Sequence, residues 1–193
     1  SELTKLYKLA KKKDKEDPSF HDKAKQEVVL LQNGDPINRA IWEHLCKVSR
    51  DMFTVIYRKM GISPKLMVLG ESFYQEHIPL LLETDLRDLI EEDETGAKII
   101  KLSKKKQVVV QKSDGAFGYM ATDLAALKHR FFEMKCDKVI YVVDAGQSSH
   151  FSAVFTIAEK AGWLKGREVV HRKFGVVCGQ DGKRKRTSAG DSE

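Results

Sequence analysis

The chain has 193 residues, enough for one sizeable domain or two small ones and enough to bury a core without metal or disulfide staples. Hydrophobic residues are 41% and charged residues 32%, which argues against global disorder, and the net charge is +6 from 34 basic and 28 acidic side chains. Cys46, Cys136 and Cys178 are odd in number and in no CxxC or CxxH arrangement, which excludes a disulfide scaffold or zinc finger and favours a reducing compartment.

The first third reads as helix. Thr4 to Lys15 is one candidate, stopped at Asp17-Pro18. Ser19 can cap a second, with Asp22 three residues on, running to about Gln32 before Asn33-Gly34. Asp35-Pro36 supplies an N-cap followed by proline in the first helical position. From there Ile37, Ile41, Leu45, Val48, Met52, Ile56 and Met60 recur every three or four residues, an amphipathic stripe that Gly61 ends. Cys46 lies beside this stripe and reads as a core residue.

From Leu66 the period changes. A short apolar run, 66–69, leads to Gly70-Glu71-Ser72 and a helix from about Phe73 to Leu89. Lys98 to Leu102 and Gln107 to Gln111 are β-type runs, followed by a turn at Ser113-Asp114-Gly115. Leu124, Leu127, Phe131 and Met134 mark a helix, and the apolar run Val139 to Val143 predicts a strand buried on both faces of a parallel sheet. Ser148 or Ser149 can cap the next helix, which Gly162 ends, and a last strand spans Glu168 to Val177. Alternating strands and helices predict an α/β fold with right-handed crossovers. No apolar run approaches the roughly 20 residues that span a bilayer, so no membrane partner is expected.

Charge is blocked. Residues 1–15 hold six lysines, Lys101 to Lys112 holds five with no acid, and Lys183-Arg184-Lys185-Arg186 closes the basic series. Between the first two, Glu83 to Glu94 carries seven acids and one arginine. Such blocks fit either solvated faces or contact with a polyanion on some faces only. The chain starts without Met inside a basic helical pattern and stops just past a glycine loop, so a piece of a larger protein is expected.

In open parallel sheets ligands bind beyond the carboxyl ends of strands. Polar clusters fall at such places: Glu71; Ser113-Asp114-Gly115 leading to Tyr119 and Asp123; Asp144 to His150; and the loop from Gly179 to Gly190. Two half-desolvated carboxylates converging on one pocket favour a cation, and a planar guanidinium can pair with them bidentately. A hydroxyl such as that of Tyr119 and an amide such as that of Gln147 would orient it. Ser148, Ser149 and His150 are adjacent in sequence and do not make a nucleophilic triad, whose members come from separate elements. Taken singly, an aspartate at a helix start also reads as a cap and a histidine as structural. The glycine-rich basic loop could neutralise phosphate charge or be a basic tail; no GxxxxGK[ST] occurs, so it is not a P-loop.

At these residues the chain resembles arginyl-tRNA synthetases, class I aminoacyl-tRNA synthetases. The resemblance lies in Gly70-Glu71-Ser72-Phe73-Tyr74, in Ser113-Asp114-Gly115 through Tyr119 to Thr122-Asp123-Leu124-Ala125-Ala126, in Ile140 to Asp144 with Gly146-Gln147 and His150-Phe151, and in Phe174-Gly175-Val176-Val177. Val28 to Gln32 and Val48-Ser49-Arg50 add to it. The resemblance implies ATP-dependent activation of L-arginine, with Mg2+ accompanying ATP as a substrate complex, no tightly bound cofactor or metal, and transfer to tRNA. It implies that Glu71, Tyr119, Asp123 and Gln147 bind arginine, that His150 and Gly179 lie at the adenylate, and that Lys183, Lys185 and Arg186 belong to a signature-like loop. The implied fold is a mainly helical segment, 1–64, before the second half of a Rossmann-type parallel sheet, 65–193, in a cytoplasmic enzyme. Ala121, Ala145, Arg186 and Ser188 depart from residues common in the family. No His-x-Gly-His occurs, so the first half of the catalytic domain is expected to lie elsewhere and to cover the sheet edge, and the isolated chain is expected not to aminoacylate. The competing reading is a non-catalytic synthetase-derived module that binds RNA or a partner protein.

Overall fold

The computed structural model describes residues 2–175 and 178, which belong to two compact units, one ending at Val68 and the other beginning at Leu69. The first is helical: α1 Glu2–Glu16, α2 Pro18–Gln32 and α3 Pro36–Lys59. Helix α2 starts two residues earlier than its serine suggested. Asp17 is the N-cap, accepting from the Phe20 amide at 3.1 Å, and Pro18 takes the position where a missing N–H costs nothing. Asp35 caps α3 in the same way, accepting from Ile37 and Asn38. Gly61, at φ 70°, supplies the left-handed residue just past the end of α3.

Consecutive helices in this unit are tied by polar contacts. His21 Nδ1 meets Asp14 Oδ1 at 2.8 Å, the Lys13 ammonium lies 5.0 Å from the Phe20 ring, and Asn38 donates to Glu27 at 2.9 Å. The α3 stripe does not make a core. Ile37, Ile41, Leu45, Met52, Ile56 and Met60 are all exposed, and none of the residues whose burial is described in 2–68 is buried. The stripe is regular, but among the described residues of this unit no second layer buries it.

The second unit holds the core. The segment expected as one helix from Phe73 is broken into α4 Glu71–Tyr74, a 3-10 turn Gln75–His77, α5 Ile78–Glu83 and a further 3-10 turn Arg87–Leu89. Pro79 lies at the start of α5, where the lost N–H is tolerated, and Thr84 leaves helical geometry at φ −114°, ψ −82°. Strands β1 Ile90–Glu92, β2 Lys98–Ser103 and β3 Lys106–Gln111 then form an antiparallel sheet in the order β1-β2-β3. Helix α6 Tyr119–Phe132 leads to β4 Lys138–Asp144, a 3-10 turn Ala145–Gln147, α7 Ser148–Lys160 and β5 Glu168–Phe174. β4 and β5 pair in parallel from Lys138↔Glu168 to Asp144↔Phe174, with α7 as the crossover. The fold is thus α/β with parallel pairing and a crossover helix, as expected, while the two earlier β-runs form a separate meander.

α6 packs on β3 and β4, and α7 on β2 and β5. Ile78, Leu86, Ile100, Val110, Leu124, Leu127, Phe131, Val154 and Ile157 are fully buried between them. Each such side chain contributes about 1.5–3 kcal/mol through removal from water. β4 departs from its expected burial. Val139 and Tyr141 are covered, but Ile140 and Val142 are 52% and 68% exposed, so helices cover one face of the strand and leave the other open. Continuous hydrophobicity therefore overstates what this chain itself buries there.

Candidate active site

The carboxyl end of β4 and the starts of α6 and α7 come together. Tyr119 is the first residue of α6, and Asp123 lies one turn further on the same face. His150 is in the first turn of α7. Its Nε2 lies 2.6 Å from Asp123 Oδ2, and its ring centroid is 5.1 Å from that of Tyr119. The histidine side chain is well covered, at 11% exposed, and the aspartate less so, at 32%. Tyr119 is largely open, its ring shielding one side of the imidazole.

Sequence reading assigned Asp123 and His150 to different ligands; the structure pairs them directly, across 27 residues of chain that carry no signal of the contact. Among the described residues the imidazole is the one hydrogen-bonding partner of the Asp123 side chain, and it engages a single oxygen. The carboxylate plane is thereby held before any ligand arrives, and Oδ1 remains for a cation. Orientation fixed in advance is worth more to binding than a carboxylate that must be ordered on contact.

Gln147 is exposed at the end of the 3-10 turn, three residues before His150. The turn is built locally: Asp144 Oδ1 accepts from the Gly146 amide at 2.9 Å, and Ser148 donates its hydroxyl to the Ala145 carbonyl at 2.7 Å. Ser148 is therefore not the cap of α7 but its first residue; Gln147 stands at the N-cap without a side-chain hydrogen bond. Glu71 opens α4 and is exposed, and no hydrogen bond or ion pair joins it to Tyr119, Asp123 or Gln147. Its helix reaches α6 further along, where Phe73 and Tyr74 pack edge-on against His129. Gly179, Lys183, Lys185 and Arg186 lie outside the described residues.

Beneath the site sits an aromatic and cationic layer that sequence reading missed. Phe151 stacks with Tyr141 at 4.6 Å and with His171 at 5.0 Å, and touches the His150 ring at 5.2 Å. Arg130 donates from Nη1 to the Tyr141 hydroxyl at 3.0 Å, its guanidinium 5.3 Å from that ring and 6.0 Å from Tyr74. Burial pushes the Tyr141 phenol up to about 12, with Arg130 opposing the shift and the Asp123 charge adding to it. Tyr141 is thus a neutral hydroxyl in the floor of the site. Nothing in the spacing of Arg130 and Tyr141 announces this contact.

Among the described residues no group of three His, Cys, Asp or Glu side chains is arranged to hold a metal ion. A shallow depression of about 460 Å³ lies elsewhere, lined by Leu82, Glu83, Arg87, Ile90 and Lys98, and contains none of the site residues. No helix of the described residues is long and apolar enough to cross a membrane.

Paired parallel strands joined by a crossover helix, with the Asp123–His150 pair at the strand end, place polar groups where open α/β sheets take ligands. The match to the tRNA synthetases class I (R) catalytic domain extends over residues 1–192, and the chain belongs to that family. It is 44% identical over 202 aligned positions to the arginine–tRNA ligase of Synechococcus sp., covering all of this chain and 34% of that protein. It is 43% identical to the chloroplastic/mitochondrial arginine–tRNA ligase of Arabidopsis thaliana, over 98% of this chain and 30% of that one. The crystal structure of arginyl-tRNA synthetase from Plasmodium falciparum superposes with a TM-score of 0.71 at 32% identity, over 82% of this chain and 28% of its own. The chain spans about a third of the length of the curated relatives it matches.

Proposed function

We propose that this chain is the arginine-recognising part of an arginine–tRNA ligase, which activates L-arginine with ATP and transfers it to tRNA. The observation that carries this is the oriented Asp123 carboxylate, held by His150 and flanked by Tyr119 at the end of β4, in a chain of this family. Asp123 Oδ1 and the Glu71 carboxylate take the guanidinium, whose fork of donors suits carboxylates in a way an ammonium does not. Tyr119 and Gln147 complete the pocket from the two helix starts. His150, besides holding Asp123, lies at the adenylate side with Gly179, and Lys183, Lys185 and Arg186 neutralise the phosphates of ATP, which arrives with Mg2+ as substrate.

In this reading 1–64 is the helical segment of the catalytic region and 65–193 the second half of its Rossmann domain, working in the cytoplasm. With no His-x-Gly-His motif in its 193 residues, the isolated chain does not aminoacylate and needs the other half of the catalytic domain for ATP and further domains to select its own tRNA. Calorimetric titration of the chain with L-arginine tests the pocket, with L-lysine and the Asp123→Ala variant as controls. Arginine-selective heat that the variant abolishes is the expected result. Equal response to lysine, or full binding by a folded Asp123→Ala variant, would falsify the assignment.

A further inference from the structure

The β1-β2-β3 meander is polarised by charge. Its β1–β2 end carries Glu92, the last residue of β1, with Asp93 and Glu94 in the turn, and its β2–β3 end carries Lys104 and Lys105 in the turn with Lys106, the first residue of β3. Antiparallel pairing puts these turns at opposite ends of β2, about 17 Å apart along the strand. That exceeds the roughly 8 Å over which exposed charges act at physiological salt, so the acids of one end do not neutralise the lysines of the other.

At the acidic end one carboxylate, that of Asp93, is engaged by its own turn. Asp93 Oδ1 accepts from the Thr95 hydroxyl at 2.6 Å and from the Thr95 and Ala97 amides at 2.9 and 3.0 Å, which closes the turn. The lysine end is different. Glu91 pairs with Lys101, but among the described residues no acid stands within ion-pair distance of Lys104, Lys105 or Lys106, all of them exposed. A fourth ammonium arrives from α7, where Lys160 Nζ donates to the Lys101 carbonyl at 2.6 Å. A register shift between Lys101 and Ser103 marks an irregularity just before the turn, and the Ser103 hydroxyl accepts from the Lys105 amide at 3.4 Å. The unpaired charge is thus held on a packed sheet, with Ile100 and Val110 anchoring it in the core.

We propose that the Lys104–Lys106 turn, with Lys160 beside it, is a contact surface for the phosphate backbone of RNA. Separate ammonium groups on flexible stems act as point charges, and no aromatic residue occurs from Lys98 to Lys112 on which a base could stack. The surface therefore positions an RNA and does not read its sequence. The identity of the polyanion rests on the tRNA-ligase reading; the unpaired charge does not.

The experiment is a fluorescence-anisotropy titration of labelled, unfractionated tRNA with the whole chain between 50 and 200 mM salt. The comparison is a Lys104→Ala/Lys105→Ala/Lys106→Ala variant whose fold is checked by circular dichroism. Losing three phosphate contacts lowers the slope of log affinity against log salt by about 2 to 3 and weakens binding about tenfold at 0.1 M salt. Unchanged affinity and slope in the variant, or no tRNA binding by the parent chain, overturns the proposal. So does competition by poly-L-glutamate as strong as by RNA at equal charge, which would make the surface a general anion patch. Arginine calorimetry on the same samples separates the failures: lost RNA binding with intact arginine binding concerns this surface alone, and absent arginine binding by the parent chain strikes the ligase reading.

Discussion

Helices α3 and α6 both carry apolar positions at helical spacing and meet opposite fates. In α6, Leu124, Leu127 and Phe131 are fully buried between β3 and β4; in α3, Ile37, Ile41, Leu45 and Met52 face outward. Both are amphipathic by pattern, and only α6 has sheets to pack on. Apolar periodicity reports what a helix can bury, while burial depends on a second layer being present. The contrast extends to the units: 2–68 is tied by caps and polar side chains, and 69–175 by a packed interior.

Mutations can break that comparison. Phe131→Ala should cost about 3–5 kcal/mol in urea unfolding followed by near-ultraviolet circular dichroism, because a cavity opens in a filled core. Ile41→Ala should cost under about 1 kcal/mol in the same measurement. If the two losses were alike, the α3 stripe would be covered in solution and the contrast would fail.

Electrostatics sharpen the difference next. Lys128 and Asp85 form a half-buried ion pair between α6 and the segment just after α5, with Thr84 also donating to Asp85. Burial pushes the Asp85 carboxyl up, but the bonds from Lys128 and Thr84 outweigh it and hold the group below its ordinary 3.8. A folded-state value below the unfolded one means that this stability is present above about pH 4 and is lost as pH falls through the lower value. Lys128→Met should therefore remove about 1 kcal/mol at neutral pH and flatten the acid limb of a stability–pH curve. An acid limb identical to the parent's would refute the pairing.

Tyr141 has the reverse sign. Its folded value, about 12, lies above the ordinary 10, so its contribution is intact below pH 10 and declines as pH rises toward 12. Ultraviolet absorbance should show one tyrosine ionising later than the rest, and Tyr141→Phe should abolish that late step. In the helical unit the corresponding lever is a cap: Asp35→Ala should remove about 1 kcal/mol, visible as reduced helical signal at 222 nm on warming.

The site was legible in its residue types more than in its contacts. Glu71, Tyr119, Asp123, Gln147 and His150 stand out because polar side chains follow apolar runs at strand and helix boundaries, and the resemblance to arginyl-tRNA synthetases named them together. The Asp123–His150 bond and the Arg130–Tyr141–Tyr74 stack were not legible, since each joins residues from elements that meet only after α6, β4 and α7 pack. The break between α4 and α5 was missed for a similar reason. Apolar spacing from Phe73 to Leu89 suits a continuous helix, but Ile78, Leu81, Leu82 and Leu86 are buried together through a bent path.

Local physics is written in the sequence itself: caps at Asp17 and Asp35, helix ends at Gly61 and Gly162, the acid and lysine turns of the meander, and the α/β alternation all depend on neighbours a few residues away. Tertiary structure alone decided which apolar faces are buried, that β1 to β3 form their own antiparallel sheet, and that Asp123 is held by His150. Those outcomes depend on pairings between distant segments, whose energies come from packing and desolvation and leave no periodic trace along the chain.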